Sequence, residues 1–130
     1  MDHASSRILI VDDEPALLKM MSTYIGRLGI HVTTADTTEK AWSEMQAAPS
    51  SFAGAVLDAS MQGVSMQDLA LRILGANPSV RVIATSGYPV DLTAIETAAP
   101  GRVMFLHKPF APEMLAGAIR RILAAQEEDV

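Results

Sequence analysis

The stretch RILIVDDEPALLKMMSTYIGRLG, residues 7–29, contains the pattern that decides the fold. Residues 8–11 are apolar on both faces of an extended chain, as central strands of a parallel sheet are. In residues 15–28 the apolar side chains recur at helical spacings of three and four: Leu17, Met21, Ile25 and Leu28. Pro15 suits the first turn of a helix, and Gly29 suits a left-handed cap after it. The stretch therefore predicts a buried strand followed by an amphipathic helix.

The same strand–helix unit recurs along the chain. Further strands are predicted at residues 32–35, 53–57, 80–85 and 103–107, and the strand at 53–57 ends at Asp58. Further helices are predicted after an N-cap at Thr37 or Thr38, over residues 66–74, between residues 91 and 99, and from near Pro112. The last helix is predicted to bury Met114, Leu115, Ala118, Ile119, Ile122 and Leu123. About five such units predict a doubly wound α/β sandwich around a parallel five-stranded sheet.

Length and composition limit the function classes. The 130 residues suit one domain, which we place at residues 7–125, with a disordered tail over 1–6 and a second tail over 126–130. A formal net charge of −5 argues against direct nucleic-acid binding through a basic face. The absence of cysteine excludes disulfides and thiolate metal sites. With no apolar run long enough to span a bilayer, a cytoplasmic protein without membrane contact is expected.

Polar residues follow the predicted strands at their carboxyl ends, where sites form in this kind of fold. At the end of the first strand these are Asp12, Asp13 and Glu14, at the end of the third Asp58, at the end of the fourth Thr85 and Ser86, and at the end of the fifth His107 and Lys108. Singly, each has an ordinary structural interpretation, since acids and hydroxyls cap helices and turns, and loop lysines face solvent. The fold nevertheless brings all four strand ends to one rim.

A carboxylate cluster at this rim needs a cation. Two carboxylates within ~4 Å repel by about 4 kcal/mol at an effective dielectric constant near 20. Lys108 alone cannot neutralise Asp12, Asp13 and Asp58. An oxygen-only ligand set with open coordination suits Mg²⁺, which also takes phosphate oxygens as ligands.

Four segments resemble the signature motifs of response-regulator receiver domains of two-component signalling systems. They are Ile10-Val11-Asp12-Asp13-Glu14, Val56-Leu57-Asp58-Ala59-Ser60-Met61, Thr85-Ser86-Gly87-Tyr88 and Leu106-His107-Lys108-Pro109-Phe110. They occur in the family's order at family-like separations. Each motif is weak alone, but together they are specific, and the resemblance covers residues 7–125. It implies a (βα)5 flavodoxin-like fold.

The resemblance also implies the chemistry of the site. Asp58 would accept a phosphoryl group, and Asp13 and Asp58 would ligate Mg²⁺ directly, with Mn²⁺ as a possible substitute. Asp12 would act mainly through metal-bound water. The backbone carbonyl of Ser60 would complete the protein ligands of the ion.

Four further residues match family positions around the phosphoryl group. Ser86 matches the switch hydroxyl, Lys108 the phosphate-binding lysine and Phe105 the switch aromatic residue. The resemblance implies a cis peptide bond between Lys108 and Pro109. Tyr88 is placed at the mouth of the site, where two hypotheses stay open: it shields the acyl phosphate from water, or it packs on the fourth helix.

Partners are implied in the same way. The donor would be a phosphohistidine on a histidine kinase or a histidine phosphotransfer protein. A downstream protein target would bind the face formed by the fourth helix, fifth strand and fifth helix, and the chain would be a monomer or weak dimer. This describes a signalling domain that assists its own phosphorylation and dephosphorylation, not an enzyme. It would be a stand-alone regulator or a receiver excised from a longer chain, such as a hybrid kinase.

Two other functions compete with this interpretation. A magnesium phosphatase of the haloacid-dehalogenase type also uses an Asp nucleophile. It would require a second Asp two residues later, where Ser60 stands, and a cap domain for which the chain has no room. A phosphorylation-independent binding module of the receiver fold would typically lack part of the acidic pair or the lysine, and both are present.

Overall fold

The computed structural model describes residues 7–61 and 65–128, in which strands and helices alternate. The elements are β1 (Arg7–Val11), α1 (Pro15–Arg27), β2 (Val32–Ala35), α2 (Thr38–Ala47), β3 (Phe52–Asp58), α3 (Met66–Ala76), β4 (Arg81–Ser86), α4 (Thr93–Ala98), β5 (Val103–His107) and α5 (Pro112–Glu128). A short 3-10 helix at Pro49–Ser51, which the sequence did not predict, precedes β3. All the predicted strands and helices are present.

The five strands form one sheet in the order β2-β1-β3-β4-β5, and every neighbouring pair is parallel. This is the strand order of flavodoxin-like folds, so the predicted fold class is confirmed. The order reverses between β1 and β3. In open sheets of this kind, ligands bind outside the carboxyl ends of the strands at the reversal.

Alternate residues of the strands enter two separate apolar layers. Leu9, Val11 and Leu57 pack on the side of α2, α3 and α4. Ile8 and Ile10 pack on the opposite side, with α1 and α5. Every residue of β3 is buried. Burial on both faces explains why β1 and β3 contain continuous apolar runs and do not alternate between apolar and polar residues.

Local sequence signals set the helix ends. Thr37 is the N-cap of α2, and its hydroxyl accepts a hydrogen bond from the backbone N–H of Lys40 at 3.0 Å. Gly29 follows the end of α1 with φ +85°, the left-handed conformation expected from its position. The short helix α4 buries only Ile95 and contains two β-branched threonines, which agrees with its poor predicted propensity.

Helix α5 departs from the sequence prediction in two respects. Met114 is exposed, so its predicted burial is wrong. The buried stripe of α5 runs through Leu115, Ile119 and Ile122, and Met114 lies about 100° away around the helix. The helix also continues to Glu128, past Ala125. The predicted tail over 1–6, like residues 129–130, lies outside the described residues. No helix in the described part of the chain has the length and apolar character needed to cross a bilayer.

The edge of the sheet opposite the strand carboxyl ends is held by two polar side chains. The Asn77 amide donates to the carbonyls of Pro49 and Phe52 at 2.8 and 3.1 Å. The Arg102 guanidinium donates to the carbonyl of Val80 at 2.9 Å and to that of Asn77 at 2.6 Å. These bonds pair backbone carbonyls with side-chain donors, and they tie together the segments that lead into β3, β4 and β5.

We predict that Gly54→Ala destabilises the fold, because Gly54 is where α5 approaches β3 most tightly. A Cβ there would lie 3.1 Å from Ile122 Cδ1 and 3.2 Å from the Arg81 carbonyl oxygen. The backbone oxygen cannot rotate away, so we expect a loss of about 1–3 kcal/mol in the free energy of unfolding, as for other overpacked cores. Urea denaturation measures this loss.

Gly117→Ala on α5 is the matched control, since a Cβ there meets nothing within 4 Å. A helical, exposed glycine replaced by alanine should gain about 0.5–1 kcal/mol. Equal stability changes in the two variants would contradict the close approach of α5 to β3.

Candidate functional site

Three carboxylates meet at the carboxyl edge of the sheet, beside the reversal of strand order. Asp12 and Asp13 directly follow β1, and Asp58 is the last residue of β3. One carboxylate oxygen from each of the three lies within 4.8 Å of the other two. The clustering predicted from the strand ends is therefore confirmed for these three acids.

The carboxylates differ in their exposure to water. Asp12 is 1% exposed and Asp58 2%, whereas Asp13 is exposed. Buried carboxylates are stable only when charge partners and hydrogen bonds replace the lost hydration. The inner pair therefore depends on its neighbours, and Asp13 faces the solvent from which a cation would enter.

Lys108 supplies the positive charge inside the cluster. Its Nζ donates to Asp12 Oδ2 at 2.9 Å and lies 3.4 Å from Asp58 Oδ2. Its backbone N–H donates to the carbonyl of Ser86 at 2.8 Å, which fixes the start of the loop after β5. The peptide bond between Lys108 and Pro109 is cis, as predicted.

Burial and charge shift the pKa values of this pair. Burial raises the pKa of Asp12 above its ordinary value, and the negative charge of Asp58 adds to the effect, while hydrogen bonds from the Glu14 N–H and Lys108 oppose it. Burial alone would lower the pKa of Lys108. The hydrogen bond to Asp12 and the charges of Asp12, Asp58 and Glu14 outweigh burial and raise it. The carboxylates thus hold the lysine in its charged form.

The two oxygens of Asp58 have different environments. Oδ1 accepts hydrogen bonds from the backbone N–H and the hydroxyl of Ser60, at 3.0 and 2.7 Å. Oδ2 is buried and accepts no hydrogen bond from the described residues, although Lys108 is near. Unsatisfied buried oxygens of this kind are uncommon and call for an explanation, such as a catalytic role or an ion. No hydrogen-bond donor among the described residues has to be displaced for a cation or an electrophile to contact Oδ2.

Ser86, Tyr88 and Phe105 belong to β4, the loop after it and the neighbouring strand β5. Ser86 is buried at the end of β4, and its Oγ accepts a hydrogen bond from the backbone N–H of Tyr88 at 3.0 Å. Phe105 lies on β5 with its side chain exposed, and its ring meets that of His107 edge-on at a centroid distance of 6.1 Å. The aromatic residue therefore points away from the site.

Tyr88 lies at the rim of an open pocket next to Asp58. The pocket has a volume of about 350 Å³ and includes Ser60, Ser86, Tyr88, Met66 and Val90 in its lining. Tyr88 is 75% exposed, so its ring is not part of the core beneath α4. This exposure favours a place at the mouth of the site over packing on the fourth helix.

Sequence reasoning missed two features of the site. The Ser60 hydroxyl donates a hydrogen bond to Asp58 Oδ1 at 2.7 Å, a contact that was not predicted. Glu14 approaches Lys108, with Oε1 3.8 Å from Nζ. Its position directly after two acids was a signal for the second feature. The first depends on a side-chain rotamer, for which the sequence carries no signal.

Comparisons with known proteins agree with this arrangement. Residues 8–120 match the family model described as response regulator receiver domain. The chain is 30% identical over 117 residues to the DNA-binding transcriptional regulator NtrC of Rhizobium meliloti (strain 1021), a match covering 90% of this chain and 24% of NtrC. It is 28% identical over 123 residues to the response regulator protein TodT of Pseudomonas putida, covering 95% of this chain and 53% of TodT. It therefore spans about a quarter of one relative and about half of the other.

The fold is also similar to that of solved structures. The crystal structure of a response regulator receiver domain protein (CheY-like) from Methanospirillum hungatei JF-1 superposes with a TM-score of 0.84 at 24% identity. The superposition covers 97% of this chain and 99% of that one. Neither chain thus has a large element that the other lacks within the compared region.

We predict that Mg²⁺ stabilises the protein through the carboxylate cluster. At free Mg²⁺ tenfold above its Kd, the melting temperature should rise by about 3–8 °C at constant ionic strength. Asp13→Asn should reduce this rise, because it removes the exposed carboxylate of the cluster. Glu44→Gln, an exposed acid on α2, is the control and should keep the full rise. Differential scanning calorimetry measures all three, and an equal rise in Asp13→Asn would contradict the assignment.

Proposed function

Because the chain belongs to the response regulator receiver domain family, we propose that it is a phosphorelay receiver that takes a phosphoryl group from phosphohistidine onto Asp58. The observation that carries this proposal is the state of Asp58 Oδ2. It is a buried carboxylate oxygen without a hydrogen bond from the described residues, 3.4 Å from the Lys108 ammonium. An unsatisfied anionic oxygen beside a fixed cation suits attack on a phosphorus atom whose negative charge must be offset.

We assign the attack to Oδ2, since Oδ1 already accepts two hydrogen bonds from Ser60. A bond forms between Oδ2 and phosphorus, the phosphorus–nitrogen bond of the donor breaks, and the imidazole leaves with the electron pair. Carboxylates are weak nucleophiles, so the transfer depends on an in-line donor held still. The product is an acyl phosphate, which is a transient mark.

The acidic cluster suits Mg²⁺. Asp12, Asp13 and Asp58 bring carboxylate oxygens together, and this oxygen-only set matches the preference of a hard divalent cation. We propose that Asp13 and Asp58 ligate it directly, Asp12 through water, and Ser60 through its backbone carbonyl. When bound, the ion would offset negative charge on the transferred group. Mn²⁺ has a similar ligand preference and could substitute.

Lys108 is the protein's own phosphoryl-binding group. Its ammonium is held between Asp12 and Asp58, with Nζ near Oδ2 of both. A phosphoryl group on Asp58 would place new anionic oxygens beside this ammonium. We propose that Lys108 then contacts the phosphoryl oxygens and loosens its hydrogen bond to Asp12.

Switching would follow from Ser86 and Phe105. The Ser86 oxygen accepts a bond from the Tyr88 N–H, which leaves its proton to donate to a phosphoryl oxygen. A hydrogen bond to a charged group is worth about 1.5–3 kcal/mol, whereas moving a population from 1:99 to 99:1 needs about 5.5 kcal/mol. Ser86 alone is therefore insufficient, and the Lys108 contact must contribute. Phe105, now exposed, would turn inward behind Ser86.

The partners follow from this chemistry. The donor is a histidine kinase or a histidine phosphotransfer protein, and the target is a protein that binds the α4-β5-α5 face, where Phe105 lies. NtrC is described as DNA-binding, but this chain spans only 24% of it. The net charge of −5 supports a protein target over direct contact with nucleic acid.

The residue two positions after Asp58 argues against the alternative function, a magnesium phosphatase. A haloacid-dehalogenase-type phosphatase would need an acid two residues after the nucleophile. Here that residue is Ser60, whose hydroxyl hydrogen-bonds to Asp58 itself. A serine in that position offers no proton-transfer group for rapid turnover, which favours a phosphorylated signalling state.

We predict that Asp58 is the sole phosphorylation site. Incubation with acetyl phosphate and Mg²⁺ should add the mass of one phosphoryl group, as measured by intact-protein mass spectrometry. The added mass should be absent in Asp58→Asn and in wild-type protein treated with a chelator. Phosphoryl label on another residue of Asp58→Asn would sink the assignment.

We also predict that Tyr88 slows hydrolysis of the acyl phosphate. Tyr88 lines the pocket that also includes Ser60 and Ser86, and we expect water to reach the phosphorus through this pocket. Tyr88→Ala should therefore lose the phosphoryl group several-fold faster after donor removal, with Mg²⁺ affinity and melting temperature unchanged. Equal or slower decay would show that the ring does not shield the site.

A further inference from the structure

We propose that Glu14 is a charge filter at the mouth of the site. Its carboxylate slows phosphorylation of Asp58 by small, multiply charged phosphodonors and so favours a phosphohistidine presented by a protein. This inference rests on the proposed phosphorylation of Asp58 and adds a residue that selects the class of donor. It is carried by the position of Glu14 relative to Lys108.

Glu14 occupies the N-cap position of α1 without acting as a cap. N-cap residues are usually Ser, Thr, Asp or Asn, whose side chains accept a bond from the first turn. Glu14 makes no such side-chain bond. Its backbone N–H donates to Asp12 Oδ1 at 2.9 Å, and its Oε1 lies 3.8 Å from Lys108 Nζ. The carboxylate is thus free of a capping role and lies near the lysine.

The side chain lies on the solvent side of Lys108. The Glu14 side chain is 65% exposed and that of Lys108 is 15% exposed, whereas Asp12 and Asp58 are buried. Since Glu14 lies 3.8 Å and Asp58 3.4 Å from the same Lys108 ammonium, a phosphodonor that reaches Asp58 comes within range of the Glu14 charge. The charge of Glu14 acts on the approach to the site and not on the buried pair alone.

The local charge balance makes this position important. Asp12, Asp13, Glu14 and Asp58 set four carboxylates against the Lys108 ammonium, so one divalent cation still leaves this group of residues negative. A small anionic donor has few contacts to offset the repulsion. A protein donor brings a docking surface whose contacts can offset it. The filter therefore separates the two classes of donor.

A comparison of two small phosphodonors that differ in charge separates electrostatic repulsion by Glu14 from other effects of this residue. With acetyl phosphate, the bond between phosphorus and the acyl oxygen breaks and acetate leaves with the electron pair. With phosphoramidate, the phosphorus–nitrogen bond breaks and ammonia leaves with the electron pair. In both, Asp58 Oδ2 forms the new bond to phosphorus. Near neutral pH acetyl phosphate is a doubly charged anion and phosphoramidate a singly charged one, so Glu14 should hinder the first more.

The experiment measures initial phosphorylation rates of the full chain with each donor, at saturating Mg²⁺ for each variant and at two ionic strengths. At low ionic strength, Glu14→Gln should accelerate the reaction with acetyl phosphate about 3- to 10-fold. The acceleration with phosphoramidate should be smaller. High salt should remove most of the acceleration with either donor. Glu14→Asp keeps the negative charge, so the ratio of its phosphorylation rates with the two donors should equal the wild-type ratio. Glu44→Gln, which removes the same charge on α2, should retain it too.

Three results would overturn the proposal: equal acceleration with both donors, slower reaction of Glu14→Gln, or a donor ratio in Glu14→Asp that matches Glu14→Gln. The last would mean that Glu14 positions Lys108 instead. Calorimetric Mg²⁺ titration gives a readout without turnover, and Glu14→Gln should weaken binding about 2- to 5-fold at low salt. Unchanged affinity also overturns the filter. A wild-type chain that binds Mg²⁺ but gains no phosphoryl mass would instead contradict the proposed function.

Discussion

The site depends on the ion pair that Lys108 makes with Asp12, next to the carboxylate of Asp58. Both acids are buried, and their separation from water is tolerable only because an ammonium lies 2.9 Å from one and 3.4 Å from the other. The single positive charge of Lys108 does not balance the carboxylates of the site, since Asp13 and Glu14 add further negative charge at the rim. We propose that this residual charge attracts a divalent cation and repels small anionic phosphodonors.

The parallel sheet makes this arrangement possible. Carboxyl ends of parallel strands share one edge, so residues that follow β1, β3 and β5 meet although they are far apart in sequence. The opposite edge is held by neutral hydrogen bonds of Asn77 and by the Arg102 guanidinium on loop carbonyls. The two ends of the sheet therefore differ: polar side chains bind backbone carbonyls at one end, and three carboxylates cluster near Lys108 at the other.

Much of the fold was predictable because buried strands and amphipathic helices have distinct periodicities, and helix ends such as Thr37 and Gly29 have local signals. The three clustered acids were predictable because topology alone places strand ends together. Two kinds of feature were not predictable: which of two adjacent helix residues faces the core, and which rotamer a side chain adopts. Met114 was wrongly placed in the core for the first reason, and the bond from the Ser60 hydroxyl to Asp58 was missed for the second.

The central claim is that Asp58 receives a phosphoryl group that is then recognised by Ser86 and Lys108. Amide NMR spectra recorded while beryllofluoride is added in the presence of Mg²⁺ test it most directly, because this anion mimics a phosphoryl group bound to a carboxylate. The account predicts saturable shifts at Asp58, Ser86 and Lys108 that extend to Phe105 and are absent in Asp58→Asn. Saturable shifts that persist in Asp58→Asn, or that leave Ser86 and Lys108 unchanged, would contradict it.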